Sequence, residues 1–363
     1  MKAPTPIHLT EDILCDLEEL ARDFKALKPF LEEDEVNCQS HKENQINDPA
    51  PAEKMVFVDP LIGYTRKPMS PSQLVFRNED LLLNHRQRIK NGIGNPAPLP
   101  IKEKRRELLD MIAANRVVVL SGDTGCGKST QVPQFLLDSW SEAGCGAQCN
   151  IIVTQPRRLA AISLAQTVAR DLGEPVGERI GYQVRLNASL PKQRGGCAVF
   201  CSVGILLKRL QVSPHLDGVS HLIIDEVHER DVLTDFLLVI IKDLLKTNSS
   251  LKVILMSASL NTDLLSRYFD NAPLFHINGR TFPVERIYLP DIMRDLQTQP
   301  RFLPDDYTTL KDDSRPFIDL NLILQIIRYI DIEKPTQGAI LCFLPGWQEI
   351  KTLLYKLKVI QRA

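Results

Sequence analysis

From Arg116 onward, short apolar runs alternate with stretches of helical periodicity. The runs at 117–120, 151–154, 198–201, 221–225 and 252–256 are rich in Val, Ile and Leu and read as strands buried on both faces. Between them, 129–140, 158–171, 204–210, 235–246 and 262–269 carry the spacing of helices. The alternation predicts an α/β fold, a mostly parallel sheet covered by helices, whose ligands gather at the carboxyl ends of the strands.

The flanks are patterned differently. Thr10 is a plausible N-cap, and Ile13, Leu14, Leu17, Leu20, Ala21, Phe24 and Leu27 recur at helical spacing, so an amphipathic helix with an acidic outer face is expected over 10–28. It suits packing on its own domain, or docking to a protein partner. Residues 32–55 are polar and read as a flexible linker, and 56–100 define no clear element. The basic cluster Lys102–Arg106 lies on a helix whose other face is apolar, and reads as a solvated face rather than a nuclear address. Residues 290–316, with Pro300, Pro304 and several Asp, predict a second linker. Beyond it a helix at 317–332, a buried strand at 338–344 and a helix at 347–357 begin a second α/β unit. The organisation expected is therefore an N-terminal extension over 1–95, a first domain over 96–289, a linker over 290–316 and the start of a second domain over 317–363.

Charge refines this only slightly. Residues 1–60 hold 14 acidic and 6 basic side chains, which leaves 38 basic and 31 acidic of the 44 and 45 in the chain for the remainder. A mildly basic body is compatible with a polyanionic partner without requiring one. Eight cysteines in 363 residues do not form the dense framework of a secreted domain, which points to a reducing, intracellular compartment, cytoplasmic or nuclear. Cys197 and Cys201 share one face of a strand rather than a zinc knuckle. No secretory or mitochondrial leader pattern is visible, and no run reaches membrane-spanning length.

Candidate chemistry centres on Gly122, Asp123, Thr124, Gly125, Cys126, Gly127, Lys128 and Ser129, which satisfy the phosphate-binding pattern G-x-x-x-x-G-K-[ST] between an expected strand and an expected helix. Gly125 and Gly127 let successive N–H groups face phosphate oxygens, Lys128 reaches the terminal phosphates, and Ser129, followed by Thr130, opens the helix with a hydroxyl for Mg²⁺. ATP and Mg²⁺ are thus the expected ligands. A second strand runs into Asp225, Glu226, Val227 and His228. Asp225 suits the metal's shell, and Glu226 suits the metal site and the activation of water.

With these residues the chain resembles a DEAH-box RNA helicase of superfamily 2, its motif II reading Asp-Glu-Val-His. The resemblance extends from about Val117 to Lys351. Thr154 to Arg158 is similar to motif Ia, Ser202 to Leu207 to motif Ib, Ser257, Ala258 and Ser259 to motif III, and Phe343 to Gly346 to the start of motif IV. Gly181 to Arg185 resembles the turn that family members press against the nucleic-acid backbone. The resemblance implies a RecA-like fold and catalytic roles for Lys128, Asp225, Glu226 and His228. It also implies coupling through Ser257, Ala258 and Ser259, and contacts to single-stranded RNA from Thr154, Arg157, Arg185 and Ser202 that track the backbone without reading bases. Val227 stands where the family usually has Ala, Ser259 where it has Thr, and Thr167 where many members place an Arg against the nucleotide base. Motifs V and VI do not follow motif IV before Ala363, so a fragment or short isoform is expected. The competing expectation is a non-catalytic nucleotide- or RNA-binding adaptor.

Overall fold

The computed structural model describes residues 58–59, 64–65, 69–94, 98–258, 262–280, 282–298, 318–333 and 338–360. The expected helix at 10–28 and Ser259 lie outside them. Apart from a two-residue antiparallel pair, β1 (Val58–Asp59) with β2 (Tyr64–Thr65), the strands form one eight-stranded sheet. They are β3 (Val117–Gly122), β4 (Asn150–Gln155), β5 (Ile180–Val184), β6 (Asn187–Ser189), β7 (Cys197–Ser202), β8 (His221–Ile224), β9 (Lys252–Ser257) and β10 (Leu274–Ile277), in the order β10-β3-β9-β8-β4-β7-β5-β6. This is the α/β architecture expected. The contacts divide the chain into two compact units.

One unit combines the described residues up to Ile93 with Leu137–Leu222 and Val232–Leu251. Here β4 and β5 each pair in parallel with β7, and β6 turns back antiparallel on β5. Both faces are covered, so Ile151, Ile152, Val153, Val199 and Phe200 are all fully buried. The stretch left undefined by periodicity contains a long helix, Pro71–Lys90, started by a capping box in which the Ser70 side chain and Gln73 exchange hydrogen bonds. Polar contacts fasten this helix: Asn78 accepts the Ala147 N–H at 2.7 Å, and Arg77 Nε donates to the Arg194 carbonyl at 3.2 Å. Leu81 is its buried apolar anchor.

The other unit combines Gly94–Leu136, Ile223–Asp231 and the residues from Lys252 onward. Its strands β10, β3 and β9 are parallel. Lys252, opening β9, aims its ammonium at the end of helix Arg105–Ala114 and donates to the carbonyls of Ile112, Ala113 and Asn115 at 2.8–3.0 Å. Those carbonyls have no partner within the helix, so the charge satisfies them and the helix dipole together.

Two expectations for the C-terminal part need correction. A helix, Leu289–Thr298, stands where a linker was expected, its apolar side meeting helix Leu320–Glu333 through Ile292, Met293, Leu296, Leu322 and Tyr329. The strand expected at 338–344 does not form: Ile340, Leu341 and Phe343 are exposed, and no described strand pairs with this segment. An apolar run becomes a strand only where another edge takes its backbone hydrogen bonds.

Candidate nucleotide site and nucleic-acid edge

The phosphate-binding loop joins β3 to helix Lys128–Glu142, as the motif requires. Gly125 and Gly127 hold φ of 79° and 102°, values open to glycine at little cost. A Cβ at Gly127 would also stand 3.0 Å from Ile101 and from Leu99. Ile101 belongs to the short helix Pro100–Glu103, and its N–H donates to the Cys126 carbonyl, so this segment braces the loop from outside. Lys128 is 7% exposed, and its Nζ donates to the carbonyls of Gly122 and Asp123, the latter at 3.1 Å, which holds the ammonium within the turn of the loop. Gly122 and Cys126 are buried, Thr124 is exposed, and Ser129 and Thr130 are half-buried in the first helical turn, where Thr130 Oγ1 donates to the Gly127 carbonyl.

Asp225 follows β8 and is 2% exposed. Its Oδ1 accepts the N–H of Glu226 at 2.9 Å, and Glu226 adopts the left-handed conformation, φ 57°. Arg230 does the same at the other end of the 3₁₀ turn Val227–Glu229. A left-handed conformation costs a non-glycine residue about 1–2 kcal/mol, and two such residues flank the three of this turn. Burial, and after it the adjacent Asp225 carboxylate, push the Glu226 carboxyl above its ordinary range, against opposing pulls from His228 and Lys128. A carboxylate made more basic in this way is better able to accept a proton.

His228 Nδ1 lies 3.3 Å from Glu226 Oε2 and 3.2 Å from the Ala258 nitrogen. Nδ1 has one lone pair, and the backbone N–H of Ala258 can only donate. In that contact Nδ1 is the acceptor. Ser257, at the end of β9, is buried. Lys128, Ser129, Asp225, Glu226, His228, Ser257 and Ala258 all belong to one compact unit.

The residues expected on RNA belong to the other unit. Arg157 is exposed immediately before helix Arg158–Asp171, and Arg185 is exposed at the tip of the β5–β6 hairpin. Ser202 is half-buried at the N-cap of helix Val203–Val212, its hydroxyl making no capping hydrogen bond. Thr154 requires a correction. Its side chain is 0% exposed within β4, opposite Cys201 of β7, because this strand is covered on both faces, and its hydroxyl cannot reach a bound strand. The Arg158 guanidinium donates to the Arg185 carbonyl at 2.7 Å, joining the two arginine-bearing segments.

Comparison with known proteins agrees with this arrangement. The family model for the DEAD/DEAH box helicase matches residues 103–266. The chain is 44% identical over 301 residues to the ATP-dependent RNA helicase DHX30 of Rattus norvegicus, covering 83% of this chain and 25% of that protein. It is 40% identical over 335 residues to DHX30 of Gallus gallus, covering 92% and 26%. It is 41% identical over 302 residues to the ATP-dependent DNA/RNA helicase DHX36 of Homo sapiens, covering 70% and 30%. The chain thus spans about a quarter to a third of the length of these relatives. With the phosphate-binding loop, the Asp-Glu-Val-His turn and the parallel sheet in place, the chain carries a DEAD/DEAH box helicase domain over residues 103–266.

Proposed function

We propose that this chain is the ATP-binding module of a DEAH-box RNA helicase, weakly active or inactive by itself, whose full-length family couples Mg²⁺-dependent ATP hydrolysis to RNA binding and unwinding. The observation that supports it most is the concentration in one unit of a buried ammonium inside a glycine loop and two consecutive carboxylates, one buried and one raised in basicity. The backbone N–H groups of 125–130 and Lys128 hold the phosphates. The Ser129 hydroxyl and the Asp225 carboxylate are hard oxygen ligands and fit Mg²⁺, which when bound neutralises charge on the terminal phosphates. Glu226 orients the attacking water and takes its proton. His228, through Ala258, ties the hydrolytic turn to the end of β9, so that a change at Glu226 reaches Ser257 and Ala258.

RNA is the proposed partner because Arg157, Arg158 and Arg185 are exposed, and with Ser202 they lie on segments resembling the family's strand-binding motifs. The contacts are to phosphates, so binding tolerates sequence and weakens with salt.

Thermal shift with Mg²⁺-nucleotide tests the first part. At about one hundred times its dissociation constant, nucleotide stabilises the wild type by roughly 2.7 kcal/mol, and Lys128→Ala loses most of this. Equal shifts in both proteins overturn the assignment. For RNA, Arg157→Ala with Arg185→Ala lowers the slope of log K against log [salt] by about 0.7 for each phosphate that is no longer neutralised. An unchanged slope removes those residues from the interface.

A further inference from the structure

Helix Trp347–Ile360 carries more apolar surface than its own contacts cover. Leu353 is 4% exposed, on the side where Lys356 Nζ reaches Asn321 Oδ1 of helix Leu320–Glu333, on which it packs. A second apolar row, Trp347, Ile350, Leu354 and Leu357, recurs at alternating intervals of three and four residues, the period of a seam between helices. Trp347 is 71% exposed, Ile350 and Leu354 are exposed and Leu357 is half-buried. The segment leading into the helix adds Ile340, Leu341 and Phe343, all exposed. Since an aromatic side chain buries about 150–250 Å², Phe343, Trp347 and Tyr355 by themselves offer roughly 300–500 Å², comparable to the largest apolar patch on an ordinary monomer. Adding Ile340, Leu341, Ile350 and Leu354 brings the apolar area towards the roughly 800 Å² that each partner gives to a stable interface.

We infer that this face is an interface between two copies of this chain, with helices Trp347–Ile360 packed antiparallel about a twofold axis. The row is symmetric about Thr352: Trp347 and Leu357 lie five residues from it on either side, and Ile350 and Leu354 lie two. An antiparallel copy therefore sets Trp347 against the partner's Leu357 and Ile350 against the partner's Leu354, and the twofold axis makes each contact twice. A row with this symmetry is complementary to itself, whereas a foreign helix has to supply a matching pattern of its own. Lys351 and Lys358 follow Trp347 and Leu354 by four residues, border the row and are exposed, so they take the solvated rim, where charges weigh little. The helix holds none of the residues proposed for nucleotide or RNA, and the inference stands apart from that reading.

Sedimentation equilibrium of the full chain over the micromolar range tests this, and a monomer–dimer equilibrium is the result expected. Ile350→Glu sets a carboxylate against the partner's Leu354, and Leu354→Lys sets an ammonium against the partner's Ile350, in each case at both symmetric contacts. Each variant weakens self-association about a hundredfold or more, tenfold for each of the two charges taken out of water without a partner. Both positions are exposed in the single chain, so the fold is kept, which far-ultraviolet circular dichroism verifies. Mixed in equal amounts the two variants associate again, because the introduced carboxylate meets the introduced ammonium while the other contact is once more Ile350 against Leu354. A wild-type chain of monomer mass throughout the range overturns the inference, the face then being covered by other residues of this chain or left to a different partner. Unchanged association in both single variants overturns it by placing the contact elsewhere. Loss in each variant without recovery in the mixture overturns the antiparallel pairing and the inference with it.

Discussion

The backbone N–H of Ala258 donates to Nδ1 of His228 at 3.2 Å, so the turn carrying Asp225 and Glu226 is tied directly to the end of β9. The link lies within one unit and needs no other part of the chain. His228→Ala deprives a half-buried amide of its acceptor and should destabilise the protein by about 1 kcal/mol. Hydrogen exchange locates the effect: the Ala258 amide loses protection while β3 amides keep theirs. Equal protection of Ala258 in both proteins would show that the bond carries no weight.

A second tie joins the phosphate-binding loop to the chain leaving the sheet. Asp123 Oδ2 accepts the Gly279 N–H at 3.0 Å, and a Cβ at residue 279 would stand 2.4 Å from the Cβ of Asp123. Only glycine allows the two segments to run so close. Nearby, Ser121 Oγ and His276 Nδ1 are 2.9 Å apart, and β10 pairs with β3 as far as Ile277 opposite Gly122. Gly279→Ala therefore pushes on the loop itself, with an overpacking cost of about 1–3 kcal/mol, and it should weaken nucleotide binding from a position with no part in the phosphate cradle. Asp123→Ala removes one exposed hydrogen bond and no space, so its effect should be smaller. Isothermal titration with Mg²⁺-nucleotide compares them, and an effect of Asp123→Ala as large as that of Gly279→Ala would contradict the steric argument.

Much of this was legible in the chain because the chemistry is local. A phosphate loop needs its glycines, lysine and hydroxyl within eight residues, and an acidic pair at a strand end is adjacent in sequence, so both stand out from residue order alone. Strands β3, β4, β7, β8 and β9 and their helices were legible for a related reason: burial on both faces leaves a continuous apolar run. That same feature misplaced Thr154, since a strand covered on both sides has no exposed face for its hydroxyl. The edge strands β6 and β10 have exposed residues along them, so no continuous apolar run marks them. Helix Pro71–Lys90 was hidden because Val75, Phe76, Leu83 and Ile89 are exposed while His85 is buried, which blurs the apolar stripe. The segment 338–344 failed for the opposite reason: its pattern is that of a strand, but strand formation depends on a neighbour that no local pattern encodes.

The anchoring of helix Pro71–Lys90 gives a pH-dependent prediction. Arg88 NH2 bonds the Asp138 carboxylate, and the His85 ring lies between Asp138 at 3.3 Å and Glu142 at 3.1 Å. Burial alone would raise the Asp138 carboxyl. Hydrogen bonds and charge from His85 and Arg88 outweigh it and hold the group below its ordinary value. A depressed carboxylate contributes stability that is present above its unfolded value and lost as pH falls through its folded one. Arg88→Met strands a largely buried carboxylate and should cost about 1–3 kcal/mol near neutral pH, less in acid where Asp138 protonates. Denaturant melts across the acid range, read beside hydrogen exchange over 71–90, decide it. A penalty that does not change with pH would assign the loss to packing of the arginine stem.

Glu226 should behave with the opposite sign. Its carboxyl is raised in the folded protein, by burial first and by Asp225 second, so the folded state binds the proton more tightly than the unfolded chain. Between the ordinary value of 4.5 and the folded one, the native state holds more protons, and stability falls as pH rises through that window. Above it the full cost of a half-buried anion beside another is present. Glu226→Gln keeps the shape and removes the charge. The variant should therefore melt higher than wild type at neutral pH, with the two curves converging as the pH falls towards the unfolded value. On the function proposed above, the same substitution also removes the base for the attacking water, so any ATP turnover should fall while nucleotide binding, proposed to rest on Lys128 and the loop, persists. A residue that costs stability where it stands and whose removal stops turnover is kept for chemistry rather than for the fold. Calorimetric melts of both proteins across the pH range, with steady-state turnover on the same samples, provide the check. Glu226→Gln melting below wild type at neutral pH would mean that the carboxylate stabilises the turn, and the account of its raised basicity would fail with it.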